Sequence, residues 1–166
     1  TGLRSPTAAC PDAETLAHSA SWPRSARVAA VTITESRQPA IRVTLLPRDT
    51  NPHGTIFGGV ILSYIDQAGA IEAHAHGADR VVTVAMEKVV FHAPVYVGDL
   101  VSFYGELVRL GRTSITVKVV VEAAPQGGAF EARRVTEAEI TYVNVDQGGR
   151  PTPIRAPAPR PAADPA

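Results

Sequence analysis

Four groups of residues in this chain have types and spacings that could do chemistry: Asp66, the pair Gly58 and Gly59, the amide of Asn51, and the run Gly111-Arg112-Thr113-Ser114. Asp66 falls two turns into an apolar segment, where an unpaired buried carboxylate would be costly. It is therefore either satisfied structurally, by Ser63 or a backbone group, or kept as a general base or nucleophile. Gly58 and Gly59 stand where a turn-rich loop runs into that segment. The first turn of a helix offers unpaired N–H groups and a partial positive charge. Glycine there lets a carbonyl approach the backbone closely, the geometry that acyl transfer needs for its tetrahedral intermediate. The same pair would equally serve tight helix packing. Gly111-Arg112-Thr113-Ser114 reads as a hairpin turn carrying a guanidinium and two hydroxyls, groups that suit a phosphate and also an ordinary polar turn.

Histidine offers less. His53 invites an imidazole-based mechanism, but no Ser/His/Asp arrangement is visible around it, so it is read as a loop residue that can contact substrate. His74 and His76 are two residues apart and do not share a helix face, and His92 stands alone, so no metal site is expected. Asp99, after Gly98, reads as a turn cap.

The elements that must hold these groups follow from periodicity. Ile41 to Leu45 alternates as a half-buried strand and is closed by Pro47. The loop Asn51 to Gly59 is dense in turn formers. Val60 to His74 has helical composition, and its early cluster of Val60, Ile61, Leu62 and Ile65 predicts a buried central helix. Four strands follow, over residues 81–91, 100–109, 114–123 and 133–145, with turns at Pro94–Asp99, Gly111-Arg112 and Pro125–Gly128. One strand, one helix and four strands describe an α+β domain in which an antiparallel sheet wraps the helix. Charges alternating along the strands, among them Glu106, Lys118, Glu122, Glu137 and Glu139, predict one solvated sheet face.

Composition bounds the partners. At 166 residues the chain suits one domain, expected over residues 39–150, with a poorly ordered leader at 1–38 and a Pro/Ala-rich tail at 151–166. Sixteen basic and sixteen acidic residues leave no long-range field to gather nucleic acid or anionic lipid. A lone cysteine, Cys10, excludes a disulfide-stapled secreted scaffold. No stretch is long and apolar enough for a membrane span or secretory signal, so a cytoplasmic location is expected. Arg24 and Arg27 among Ser and Ala give the leader only a faint transit-peptide composition.

The run Asn51-Pro52-His53-Gly54-Thr55-Ile56-Phe57-Gly58-Gly59 followed by Asp66 resembles the active-site segment of bacterial short- and medium-chain acyl-CoA thioesterases with the hotdog fold. Val82 to Phe91, Pro94 to Asp99, Gly111 to Ser114 and Thr136 to Val145 continue the likeness, which covers roughly residues 40–154. The resemblance implies an antiparallel sheet around one long helix and hydrolysis of acyl-CoA to a free acid and coenzyme A. It implies Asp66 as general base or nucleophile, Asn51 positioning water or the carboxylate, and Gly58 with Gly59 beside it polarising the thioester carbonyl. It also implies Arg112, Thr113 and Ser114 against the nucleotide, and no cofactor or metal beyond the coenzyme A of the substrate. Two alternatives stand beside it: a hotdog hydratase or dehydratase, whose helix histidine is missing here, and an acyl-CoA-sensing hotdog domain without turnover. The latter would need a DNA-binding helix pair that the Pro-interrupted leader does not suggest.

Helix geometry adds one expectation. Gly58 and Asp66 are eight residues apart, a rise of about 12 Å, too far for one reacting centre in one chain. A two-fold dimer combining Gly58 and Asn51 of one chain with Asp66 of the other is expected; by resemblance, such dimers assemble further into hexamers as trimers of dimers.

Overall fold

The structure, a computed structural model, describes residues 37–125 and 132–155. The expectations for the leader up to Ser36, including Cys10, for residues 156–166 and for most of the Pro125–Gly128 turn lie outside the described residues.

The elements run β1 (Ile41–Thr44), a single 3₁₀ turn (Pro47–Asp49), α1 (Gly58–Ala75), β2 (Val81–Phe91), β3 (Leu100–Leu110), β4 (Ser114–Ala124) and β5 (Arg133–Asn144). Pro47 cannot donate to a sheet ladder, and the chain turns there. The strands form one antiparallel sheet in the order β1-β3-β4-β5-β2. This is the expected α+β architecture, with α1 carrying the chain from one edge of the sheet to the other.

α1 lays Ile61, Ile65, Ala68, Gly69 and Ala73 on the sheet, a stripe at helical spacing. They meet Val101, Phe103, Val117, Val119, Ile140 and Tyr142, all buried, and the Tyr64 ring lies 5.5 Å from that of Phe103. Truncating a side chain such as Ile65 in this layer would cost about 2–5 kcal/mol. The helix is not enclosed on every side as its composition predicted. Ser63, Gln67, Ile71 and His74 are exposed, because in a single chain the sheet covers one face only.

The helix starts two residues earlier than expected, taking in both glycines, and the opposite sheet face carries the predicted charges in ion pairs. Lys118 meets Glu137 and Lys88 meets Glu139, each at 2.9 Å. β2 is an edge strand with register shifts between Thr83 and Ala85 and between Glu87 and Val90, and Lys88 in the second has φ +51°.

The domain also runs beyond the expected boundary at residue 150. Thr152 N–H donates to Asn144 O, Ile154 N–H donates to Arg112 O, and the Ile154 side chain packs on the core. The buried Asn144 amide is the fastener. Its Oδ1 accepts from Asp79 N and Arg80 N at 2.9 and 3.1 Å, and its Nδ2 donates to Thr152 Oγ1 at 3.0 Å. A Pro/Ala composition signals weak intrinsic order, and it is outweighed here by pairing to a neighbouring strand end.

Candidate active site

Asp66 lies at the middle of α1 and the sheet holds it at two points. Thr83 on β2 donates its hydroxyl to Asp66 Oδ1 at 2.6 Å, and Tyr142 on β5 donates to the Asp66 backbone carbonyl at 2.6 Å. Thr83 and Tyr142 are direct cross-strand partners, so one rung positions both the carboxylate and the helix turn that carries it. Burial, then the neighbouring Asp66 charge, push the Tyr142 phenol well above its usual range, which keeps it a donor. Ser63, the structural partner the sequence suggested, instead donates to Val60 O at 2.7 Å. Gly69 lets Tyr142 reach: a Cβ there would strike its hydroxyl and lie 3.1 Å from Ile140 Cδ1.

Phe57 is the N-cap of α1 and supplies no side-chain cap. The N–H groups of Val60 and Ile61 turn to Phe57 O, while those of Gly58 and Gly59 meet no acceptor among the described residues. Two unused donors at the positive end of an 18-residue helix form a site for developing negative charge. A side chain at either glycine would have to displace an exposed aromatic ring. A Cβ at Gly58 would lie 3.3 Å from Phe91 Cζ, and one at Gly59 would run into the Phe57 ring. Beside Gly58 opens a cavity of about 350 Å³, lined among others by Ile56, Ile61, Phe91, Val95 and Thr136.

Asn51 shapes the loop before the helix. Its Oδ1 accepts from His53 N and Thr55 N at 2.9 and 3.3 Å, and its Nδ2 donates to Thr55 Oγ1 at 2.8 Å. The geometry is that of an Asx-turn, with one amide proton left over for a substrate or water. His53 is exposed and takes part through its backbone. The other described histidines serve structure: His74 Nδ1 meets Ala78 O, His76 meets Glu72, and His92 meets Glu137. No cluster of three metal-ligating side chains occurs among the described residues.

Arg112, Thr113 and Ser114 form the expected β3–β4 turn, closed by Gly111 N–H on Ser114 O at 2.8 Å, with Arg112 exposed. Within one chain this turn is not beside Gly58. Phe91, which covers Gly58, pairs with Thr136, whereas Ser114 pairs with Val143 and Asn144 with Val81. Along an 11-residue strand these ends are roughly 30 Å apart. Asp66 belongs with the Arg112 end, because Ile115 pairs with Tyr142 and Tyr142 with Thr83. A hollow of about 720 Å³ at that end is lined by Arg80, Asn144, Thr152 and Arg155 among others. Asp99 is a turn cap, its Oδ2 accepting from Tyr96 N at 3.1 Å. Thr83, Tyr142 and Asn144 had no signal in the sequence, since Asp66 lies 17 positions from Thr83 and 76 from Tyr142, and Asp79 lies 65 from Asn144.

Comparison with known proteins gives a consistent set. The family model of the thioesterase superfamily matches residues 53–129. The chain is 39% identical over 117 residues to an uncharacterised acyl-CoA thioester hydrolase of Zymomonas mobilis, covering 70% of this chain and 78% of that one. It is 41% identical over 119 residues to the acyl-CoA thioester hydrolase YciA of Salmonella typhimurium, covering 69% and 87%. Among solved structures, a hexameric hotdog-fold thioesterase of Campylobacter jejuni superimposes with a TM-score of 0.67 at 47% identity, over 71% of this chain and 90% of the other.

Proposed function

The chain belongs to the thioesterase superfamily, and from that premise we propose an acyl-CoA thioesterase that cleaves its substrate to a free acid and coenzyme A in sites shared between two copies of the chain. The observation that carries the proposal is the placement of Asp66, fixed by Thr83 and Tyr142, eight residues along the same helix from two unused N–H donors.

The thioester carbonyl oxygen sits at the Gly58 N–H, with Gly59 beside it, so charge developing on that oxygen meets the positive end of α1. Asp66 either takes a proton from the attacking water and passes it to the departing coenzyme A thiolate, or attacks the carbonyl carbon itself to expel the thiolate, which takes its proton from solvent. In the second route water then hydrolyses the acyl-Asp66 anhydride, releasing the acid and restoring the carboxylate. Thr83 engages Oδ1, which leaves the other carboxylate oxygen for this step. The Asn51 amide orients the water or the carboxylate through its remaining proton, and His53 borders the substrate. Water and the chain's own groups suffice for this route; coenzyme A enters with the substrate.

The rise of about 12 Å between Gly58 and Asp66 supports supplying them from different chains. So does the open side of β2, an 11-residue edge on which Val82, Val84, Val90 and Phe91 are exposed. Pairing β2 with its copy would set the two helices side by side through the faces bearing Ser63, Gln67 and Ile71. Gly58 and Asn51 of one chain would then meet Asp66 of the other, on the end that carries Arg112, Thr113 and Ser114. The turn and the adjacent hollow suit the phosphates of the nucleotide. The hexameric Campylobacter jejuni structure supports a six-copy assembly, which a trimer of such dimers would provide. An acyl-CoA substrate accords with a cytoplasmic location; no described helix is long and apolar enough to cross a membrane.

Free-thiol release from acetyl- to palmitoyl-CoA tests the activity, with Asp66→Asn expected to lose at least ~100-fold in kcat while remaining folded. Near-parental turnover by a folded Asp66→Asn would overturn the assignment. Mixing Asp66→Ala with an inactive Gly58 variant tests the sharing: exchanged heterodimers should regain one working site. Proven heterodimers without activity would return both groups to one chain.

A further inference from the structure

The cavity beside Gly58 holds a polar group that the hydrolysis does not use. Thr136 is 1% exposed, and its Oγ1 has no hydrogen-bond partner among the described residues. It stands on the helix-facing side of β5, in phase with Ala138, Ile140 and Tyr142, and pairs with Phe91. Its companions in the cavity wall include the apolar Ile56, Ile61, Phe91 and Val95 and two polar residues that already have partners, Thr55 with Asn51 and His92 with Glu137. A buried hydroxyl left without a partner is unfavourable by about 1–3 kcal/mol, so one sitting in a cavity wall calls for an occupant that satisfies it.

At about 350 Å³ the space is at the small end of ligand pockets, sized for an acyl group rather than for a whole coenzyme A ester. Gly58 is part of the same wall, so a carbonyl held at its N–H directs the chain that follows into the cavity. We propose that Thr136 is a specificity-determining residue of this site, donating a hydrogen bond to an oxygen on the acyl chain and favouring hydroxy- or oxo-substituted acyl groups over unsubstituted ones of equal length. This inference rests on the thioesterase reading for the position of the carbonyl. An unsubstituted chain leaves the hydroxyl as unpartnered as it is in the free protein, whereas an oxygenated chain supplies the missing acceptor.

The test is Thr136→Val, which removes the hydroxyl at nearly constant shape beside Phe91 and Val121. Thiol release from butanoyl-CoA and from its 3-hydroxy and 3-oxo derivatives gives kcat/KM ratios for parent and variant. The ratio of oxygenated to unsubstituted substrate should fall about three- to tenfold in Thr136→Val. Melting at or above the parent's temperature would show that the variant folds. An unchanged ratio, or equal losses on every substrate, would overturn the proposal. Affinities for the corresponding non-hydrolysable thioethers form a second arm. If the parent cleaves none of the thioesters, the hydrolysis reading fails, and the thioether affinity ratio still decides Thr136: a fall in the variant supports it, and an equal ratio refutes it.

Discussion

Replacing Thr83 by valine takes away the hydroxyl that holds Asp66 Oδ1 and keeps the β-branched shape of the side chain. An O–H···O⁻ bond of 2.6 Å belongs to the short, charge-assisted class, for which removal costs about 1.5–3 kcal/mol. Thr83 is exposed in the single chain, so the lower end of that range, about 1.5 kcal/mol, is the appropriate expectation. If the bond aims the carboxylate at the reacting centre, this becomes roughly a tenfold loss of kcat with KM changed by less than about twofold. Thiol release at saturating acyl-CoA reads kcat directly. Thr83→Ser retains the hydroxyl and should keep most of the activity, provided both variants melt as the parent does. Parental kcat in Thr83→Val, or equal damage in the serine variant, would refute the positioning role.

Arg112→Ala should raise KM for acyl-CoA more than it lowers kcat, and the effect should shrink with a pantetheine thioester lacking the nucleotide; equal damage with both substrates would remove Arg112 from the binding site. Gly69→Ala should destabilise despite alanine's better helix propensity, because its Cβ strikes the Tyr142 hydroxyl. A net loss of about 1–2 kcal/mol in denaturant unfolding is expected, and a stabilised variant would contradict the packing. The Lys118 hydrogen bond, with help from His92 and Arg134, holds the Glu137 carboxyl below its usual range although burial opposes this. A depressed folded pKa gives stability that is present above the unfolded value of 4.5 and is lost as pH falls through the folded value. Glu137→Gln should therefore flatten the acid side of the stability profile, and an unchanged acid slope would show the cluster to be indifferent.

What the sequence made legible was local. The apolar run without proline announced α1, alternation announced the strands, and the glycine pair before Asp66 marked the start of the helix. Asp99 read correctly as a turn cap because its partner, Tyr96, is three residues away. Thr83 and Tyr142 were illegible for the opposite reason. Nothing in their neighbourhoods shows that the register of β2 against β5 will stack them on one rung under Asp66. The roll of the helix was half legible: residues 60–65 gave its apolarity, but which face lacks a cover depends on where the sheet ends. Asn144 resolved the domain boundary against composition, since an amide that gathers Asp79, Arg80 and Thr152 is visible only after the strands meet.

The irregularity of β2 bears on how a newly made chain avoids the wrong company. A long apolar edge ordinarily invites any extended polypeptide, which is the route to aggregation. This edge is broken at Thr83/Ala85 and again at Glu87/Val90, where Lys88 bends into the left-handed region with its charge outward to Glu139. A regular foreign strand would lose register at each break, whereas a second copy, running antiparallel, presents the same breaks in mirrored order. If two copies pair through β2 as proposed, the kinks would act as a key cut for self-recognition, and straightening them, for instance by deleting the extra residue at Lys88, should turn a selective edge into a promiscuous one.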